Sequence, residues 1–134
     1  MVDSYSTDGT RDIARQLGVK VVEHEFESWG AQRNYALEDL KLKYDFVLFI
    51  DADEMIDEVF ADELYNKIAA GGYVAFNMNF DIVFLGKILK HSHESVPALR
   101  VIRKQAGRWV RRGDLSWVKL LGNCWICPSR NVRL

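Results

Sequence analysis

The sequence predicts an α/β domain in which a mostly parallel sheet is flanked by helices. Strand-like apolar runs alternate with amphipathic helical stretches between residues 8 and 103. Short connections from a strand to a helix and on to the next strand favour parallel strands with right-handed crossovers. With 134 residues, 49% of them hydrophobic, the chain is long enough for one domain with a substantial core.

Three helices are predicted from capping residues and from apolar residues that recur on one face. They cover approximately 8–17, 29–42 and 58–70. Thr7 or Asp8 is the expected cap of the first helix, and glycine residues at 18 and 71 end the first and third helices. These helices are the expected connections between the strands of the sheet.

Strands are predicted where β-branched and aromatic residues cluster between turn signals. These segments are 19–22, 46–50, 73–80 and 98–103, with a hairpin over 82–89 around Gly86. The periodicity fades after Arg103. We therefore divide the chain into a domain over residues 1–104 and a basic tail of uncertain structure over 105–134.

Charge is distributed unevenly along the chain. Residues 1–99 contain 9 Lys or Arg and 18 Asp or Glu, whereas residues 100–134 contain 9 basic residues and one acidic residue. This asymmetry favours an acidic ligand or an anionic membrane surface near the basic part, or a tail that packs on its own acidic body. The tryptophans of the basic part have no repeating spacing, so nucleic-acid binding is not expected.

The two cysteines, Cys124 and Cys127, form a Cys-x-x-Cys pair. No second pair or nearby histidine completes a zinc site in the sequence, and a thioredoxin-like motif would open a helix after an early strand. No apolar run approaches the roughly 20 residues of a membrane span, and no signal peptide is visible. A reduced, cytoplasmic protein is the expectation.

The most informative motif is Asp51-Ala52-Asp53, which directly follows the apolar run 46–50. In open α/β sheets, ligands bind outside the carboxyl ends of the strands. Two carboxylates at that position suit a hard divalent cation that keeps phosphate among its ligands. The alternative is a helix start, in which Asp53 and Glu54 cap the helix that follows.

Four segments in the same order resemble motifs of family 2 glycosyltransferases, which have the GT-A nucleotide-sugar fold. They are 2–10 ("vDsxSxDgT"), 32–37 ("QRNyAL"), 49–54 ("fiDADE"), and 85–86 followed by 99–104 ("fxG … lRlfrk"). The last is similar to the cell-envelope branch, which includes lipopolysaccharide-core glucosyltransferases. The resemblance implies a Rossmann-like GT-A domain over residues 1–104, incomplete because the first strand of the family is absent.

The resemblance also implies roles for individual residues. Asp3 is expected to accept a hydrogen bond from the nucleotide base, and Arg33 to bind phosphate or base. Asp51 is expected to bond the ribose and assist the metal, and Asp53 to bind Mg²⁺ or Mn²⁺ directly. From the residues alone, a turn residue at Asp3 and a solvated helix face at Arg33 stay open as alternatives.

Transfer in this family proceeds with inversion and needs a carboxylate as general base. The candidates here are Glu94 and Asp114. His91, His93 and Glu94 also have the composition of a metal site, although a solvated loop is the preferred interpretation. Arg100 and Arg103 are candidates for binding a diphosphate or an acidic acceptor. Their alternating strand positions place them on opposite faces, so they should not share one role.

The resemblance thus predicts a metal-dependent inverting glycosyltransferase at the inner face of the cytoplasmic membrane. The expected donor is a UDP-sugar such as UDP-glucose, and the expected acceptor is a cell-envelope glycolipid or lipopolysaccharide core. A catalytically inactive fragment that at most binds nucleotide or metal is the alternative. A nucleotidyltransferase is less favoured because no Gly-rich phosphate loop is present. After residue 105 the sequence departs from the family, which indicates either a divergent acceptor domain or a change of reading frame.

Overall fold

The computed structural model describes residues 1–89, 97–112, 115–126 and 132–133. The chain divides into two compact units. The first unit contains residues 1–43 and 108–119, and the second contains residues 44–107 and 120–134.

The described residues form three helices and thirteen strands. The helices are α1 (Thr10–Gln16), α2 (Trp29–Glu38) and α3 (Glu58–Ala70). The strands are β1 (Val2–Asp3), β2 (Val22–Glu23), β3 (Phe46–Leu48), β4 (Met55–Ile56), β5 (Ala75–Met78), β6 (Phe80–Asp81), β7 (Val83–Phe84), β8 (Lys87–Ile88), β9 (Ala98–Arg103), β10 (Gly107–Arg112), β11 (Leu115–Leu120), β12 (Cys124–Ile126) and β13 (Val132–Arg133). All three predicted helices are present, and α3 has the predicted bounds.

Side-chain caps determine where two of the helices begin. Ser28 Oγ accepts a hydrogen bond from the Ala31 N–H at 3.1 Å at the start of α2. Asp57 Oδ1 accepts one from the Phe60 N–H at 2.8 Å at the start of α3. These bonds satisfy N–H groups that have no partner within the helix. At the start of α1 the N-cap position is Gly9 rather than Thr7 or Asp8, but Asp8 Oδ1 accepts a hydrogen bond at 3.0 Å from the N–H of Thr10, the first residue of the helix.

In the first unit, β1 and β2 pair in parallel, with Val2 opposite Val22 and Asp3 opposite Glu23. Helix α1 connects them, as the predicted strand–helix–strand alternation requires. Strands β10 and β11 pair with each other. The strands β10 and β11 lie beyond residue 104, where the sequence pattern predicted no secondary structure.

The main sheet of the second unit has the strand order β12-β5-β9-β3. Strands β12, β5 and β3 run in one direction, and β9 lies antiparallel to both β5 and β3. The sheet is therefore mixed, and the sheets of the protein are small, so the expected mostly parallel, Rossmann-like sheet is not evident. The reason is the route to β9: the described part of that connection contains the β7–β8 hairpin and no crossover helix, and antiparallel neighbours need none.

Two smaller sheets complete the second unit. Strand β13 pairs antiparallel with β4 and parallel with β6. Strands β7 and β8 form the predicted hairpin, with Val83 opposite Ile88 and Phe84 opposite Lys87. Its turn residues Leu85 and Gly86 have φ angles of +49° and +76°. Positive φ angles at both turn residues are typical of a two-residue hairpin, but this backbone conformation is strained for a leucine.

The core of the second unit lies between α3 and the main sheet. Phe60 and Leu64 of α3 pack with buried residues from β5, β6 and β9, namely Phe76, Met78, Phe80 and Val101. Each fully buried large side chain of this kind contributes about 1.5–3 kcal/mol. Trp125 of β12 also packs against this cluster, with its ring 5.8 Å from that of Phe76. Helix α3 is thereby fixed behind the strand that leads into the acidic motif.

Candidate functional site

The acidic motif after β3 forms a closed turn, which we call the acidic turn, residues 51–54. The N–H of Glu54 donates to the carbonyl oxygen of Asp51 at 3.0 Å. In return, the N–H of Asp51 donates to Glu54 Oε2 at 2.9 Å. Because these two bonds close the same four residues from both ends, they restrain the backbone that carries Asp51 and Asp53.

Arg100 of β9 joins the acidic turn from the neighbouring strand. Its Nη2 donates to Asp51 Oδ2 at 2.9 Å and forms an ion pair with Glu54 Oε1. The side chains of Glu54 and Arg100 are 1% and 12% exposed, whereas that of Asp51 is 35% exposed. The β-ladder fixes this position, since Phe49 N–H donates to the Arg100 carbonyl at 2.8 Å. Sequence reasoning did not predict this contact, because Asp51 and Arg100 are 49 residues apart and meet only through the pairing of β3 with β9.

Asp53 differs from both neighbouring acids. It is exposed, and it makes no hydrogen bond or ion pair with the part of the chain that the structure describes. The alternative that Asp53 and Glu54 cap α3 is wrong, because Asp57 is the N-cap and Glu54 is turned to Arg100. The exposed carboxylate of this turn is therefore that of Asp53, with Asp51 half-exposed beside it.

The acidic turn offers a small set of oxygen donors for a divalent cation. Within the described ranges, no group of three or more His, Cys, Asp or Glu side chains could enclose a metal ion. Glu54 is buried against Arg100, which leaves Asp51 and Asp53 as the accessible carboxylates. Such a donor set fits Mg²⁺ or Mn²⁺, which bind one or two carboxylates and take their other ligands from water and phosphate.

In the first unit, Asp3 is a buried turn residue at the end of β1. Its two carboxylate oxygens accept hydrogen bonds from Ser6, one from the N–H at 2.9 Å and one from Oγ at 2.6 Å. These bonds, the hydroxyl first, and Arg11 nearby hold the pKa of Asp3 below its usual value, although burial opposes this. Asp3 therefore has the turn role that the sequence left open as an alternative. Contact with a nucleotide base stays a prediction.

Asn34 and Arg33 of α2 both contact Trp109 of β10. The side-chain amide of Asn34 donates to the Trp109 carbonyl at 2.8 Å and accepts from the Trp109 N–H at 2.9 Å. The guanidinium of Arg33 lies 5.6 Å from the centre of the Trp109 ring, within cation–π range. Arg33 therefore has a defined position against a buried aromatic ring, rather than projecting from a solvated face.

Gln32 organises the loops around the same helix. Its Nε2 donates to Ser4 Oγ at 2.8 Å, and its Oε1 hydrogen-bonds the imidazole of His24. The His24 ring is stacked on Tyr35 with 3.8 Å between ring centres. The three residues Gln32, Arg33 and Asn34 thus connect α2 to a loop, an aromatic ring and a strand, respectively.

Several predicted residues lie outside the described residues. These are Glu94 and Asp114, the two candidate bases, together with His91, His93 and Cys127. Cys124 is described: it lies in β12, and burial raises the pKa of its thiol, which disfavours a thiolate nucleophile. The structure thus groups Asp51, Glu54 and Arg100 within the second unit, and Arg33, Asn34 and Trp109 within the first.

Comparison with known proteins gives one family and several relatives. The profile of the family described as "Glycosyl transferase family 2" matches residues 1–127. An uncharacterized glycosyltransferase of Rickettsia typhi is 34% identical over 89 residues, which cover 64% of this chain and 30% of that protein. An uncharacterized glycosyltransferase of Rickettsia felis is 42% identical over 64 residues, which cover 48% of this chain and 22% of that protein. Glycosyltransferase GlyA of Streptococcus pneumoniae is 29% identical over 89 residues, which cover 58% of this chain and 12% of that protein.

The matched segment spans less than a third of the length of these relatives. The family match extends past residue 105 and so includes most of the predicted basic tail. Among the described residues, no helix combines the length and apolar character that a membrane crossing requires.

Proposed function

The chain belongs to glycosyl transferase family 2, and from that premise we propose that it transfers a sugar from a nucleotide-diphosphate donor with inversion. The proposed fold is GT-A, which the family implies. The observation that carries the proposal is the acidic turn, where Asp53 is exposed and Asp51 half-exposed just beyond β3. An ordered turn with two accessible carboxylates suits a cation bound between protein and diphosphate.

We propose that Asp53 holds Mg²⁺ or Mn²⁺ directly and that Asp51 assists it and bonds the ribose. When bound, the metal supplies positive charge to the diphosphate that leaves. The acidic turn prepares the two carboxylates before substrate arrives, because Glu54 and the backbone bonds hold its shape. Preorganised groups of this kind avoid the free-energy cost of ordering the site during the reaction.

The chemical step needs a base on the acceptor side. As the acceptor hydroxyl oxygen bonds to the anomeric carbon, the bond from that carbon to the diphosphate oxygen breaks and the hydroxyl proton passes to a carboxylate. Glu94 and Asp114 are the proposed candidates for this carboxylate. Attack opposite the leaving group inverts the configuration at the anomeric carbon.

For the donor we propose a UDP-sugar such as UDP-glucose. Asp3 is proposed to accept the imide N–H of uracil, since an ionised carboxylate has lone pairs beyond those used by Ser6. Its lowered pKa supports the ionised, acceptor-only form at neutral pH. Arg33 is proposed to bind phosphate or base, supported by the fixed position of its guanidinium over Trp109.

For the acceptor we propose a saccharide or glycolipid of the cell envelope, such as lipopolysaccharide core, presented at the inner face of the cytoplasmic membrane. The β7–β8 hairpin supports a membrane surface as partner. Its exposed large side chains are Phe84, Leu85, Ile88 and Leu89, at 61%, 87%, 44% and 38%. The hairpin also carries Lys87 and no acidic residue between 82 and 89, a composition that favours an anionic bilayer.

A transfer assay tests the proposal. The purified chain is incubated with UDP-glucose, Mn²⁺ and lipopolysaccharide-core oligosaccharide, and released UDP is measured with and without EDTA. Acceptor-dependent release that EDTA abolishes is the expected result. A chain that binds UDP with metal but releases none with any acceptor would instead match the alternative of an inactive nucleotide-binding fragment.

A further inference from the structure

We propose that Arg100 is a positioning residue for Asp51, and that Glu54 is its buried counter-charge rather than a metal ligand. This inference rests on the proposed function, because it concerns the carboxylate that would meet ribose and metal. Glu54, the third acid of the motif, and Arg100 of β9 together hold the acidic turn in the conformation that presents Asp51.

The burial of Glu54 is the first observation. Its side chain is 1% exposed, so its carboxylate has lost most of its contact with water. Both oxygens are engaged: Oε1 faces Arg100 and Oε2 accepts the Asp51 N–H at 2.9 Å. A buried carboxylate is stable only when it is paired and hydrogen-bonded. Glu54 therefore closes the turn and is not directed toward an incoming substrate.

The position of the Arg100 guanidinium is the second observation. Nη2 contacts Glu54 and Asp51 together, and the planar group lies 5.2 Å from the centre of the Phe80 ring. Its Nε is buried and has no hydrogen-bond partner among the described residues. Two carboxylates and one ring thus confine the guanidinium. The bond to Asp51 Oδ2 in turn restrains the rotation of the half-exposed carboxylate.

Lys67 of α3 provides a charge control in the same unit. Its ammonium lies 5.3 Å from the centre of the Trp125 ring, and the residue is exposed. Arg103 is unsuitable for this purpose, because it is itself a candidate for binding an anion. Replacing either Arg100 or Lys67 removes a single positive charge from the second unit, so a general loss of attraction for an anionic nucleotide would affect both variants alike.

The experiment compares wild type with Arg100→Met, Arg100→Met/Glu54→Gln and Lys67→Met. Binding of UDP in the presence of Mn²⁺ is measured by calorimetry, and stability by urea unfolding. In the double variant, the amide oxygen introduced by Glu54→Gln can still accept the Asp51 N–H, and no buried carboxylate is left unpaired. We expect the double variant to recover stability that Arg100→Met loses.

Affinity separates positioning from a purely structural role. We expect both Arg100 variants to bind UDP with Mn²⁺ about 10-fold or more weakly, as for other groups that orient a metal ligand, and Lys67→Met to bind like wild type. A double variant that recovers wild-type affinity together with stability would overturn the positioning role. Absence of UDP binding by wild type would overturn the proposed function itself and the role given to Arg100 with it.

Discussion

Asn34 binds the backbone of Trp109 through both ends of its side-chain amide, with bonds of 2.8 and 2.9 Å. An asparagine side chain has the donor and acceptor arrangement of a peptide group. It therefore pairs with one residue of β10 much as a neighbouring strand would. Trp109 is 6% exposed, so its peptide groups depend on such partners rather than on water.

We predict that Asn34→Ala lowers the free energy of unfolding by about 1–3 kcal/mol, because it removes both hydrogen bonds between this side chain and the backbone of the buried Trp109. Urea unfolding followed by tryptophan fluorescence measures this loss. Asn66→Ala, at an exposed position of α3, is the matched control. Equal stability of the two variants would show that the Asn34 contact has no net effect.

A second prediction distinguishes Asp57, which caps α3, from Asp53, the proposed metal ligand. Asp57→Ala removes the N-cap bond to Phe60 and should lower stability by about 1 kcal/mol. Asp53→Ala removes an exposed carboxylate and should change stability by less than about 0.5 kcal/mol. Thermal and urea unfolding compare the two directly. A larger loss of stability for Asp53→Ala than for Asp57→Ala would indicate a structural role for Asp53.

A third prediction concerns pH. The pKa of Asp3 lies below its usual value of 3.8, chiefly because the Ser6 hydroxyl donates to it. Since the pKa is lower in the folded chain, Asp3 contributes stability that is present above the unfolded value and lost as pH falls through the folded value. Ser6→Ala should raise this pKa and reduce the dependence of stability on pH in the acidic range.

Carboxyl-carbon NMR titration of Asp3 tests this prediction, together with unfolding measured at neutral and acidic pH. Thr7→Ala is the control, as an exposed hydroxyl residue in the same loop. If Ser6→Ala and Thr7→Ala leave the Asp3 pKa equally unchanged, the Ser6 hydroxyl is not its cause.

The fourth prediction concerns the exposed hairpin. Phe84→Ser/Leu85→Ser should weaken binding to vesicles that contain phosphatidylglycerol by about tenfold or more, because each large apolar side chain contributes about 1.5–3 kcal/mol when buried. Co-sedimentation with vesicles measures the change. Leu121→Ser, at another exposed leucine, is the control. Equal vesicle binding by all three proteins would exclude the hairpin as a membrane contact.

Local signals predicted much of the fold correctly. Helix α3 and strand β9 have the predicted bounds, because their apolar spacing and flanking turn residues agree. The β7–β8 hairpin also follows from a local pattern around Gly86. Pairing between distant segments was harder: nothing near β9 indicates that it lies antiparallel between β5 and β3.

The contacts at the candidate site were not predicted, for the same reason. Asp51 and Asp53 stand out in sequence because they follow an apolar strand. The partner of Glu54 is 46 residues away, and the partner of Asn34 is 75 residues away. Such contacts depend on strand order, which a single sequence does not encode locally. The residues after 104 gave no periodic signal, although Trp109 and Trp125 both pack in the folded units.

The most direct test is calorimetric titration of UDP into the folded chain with Mn²⁺ and with EDTA, for wild type, Asp53→Asn and Asp62→Asn. Asp62 is an exposed acid of α3 and provides the matched control. We predict binding that requires Mn²⁺, is lost in Asp53→Asn and is kept in Asp62→Asn. Binding by Asp53→Asn equal to wild type, or no binding by the folded wild-type chain, would contradict a metal-dependent nucleotide site at the acidic turn.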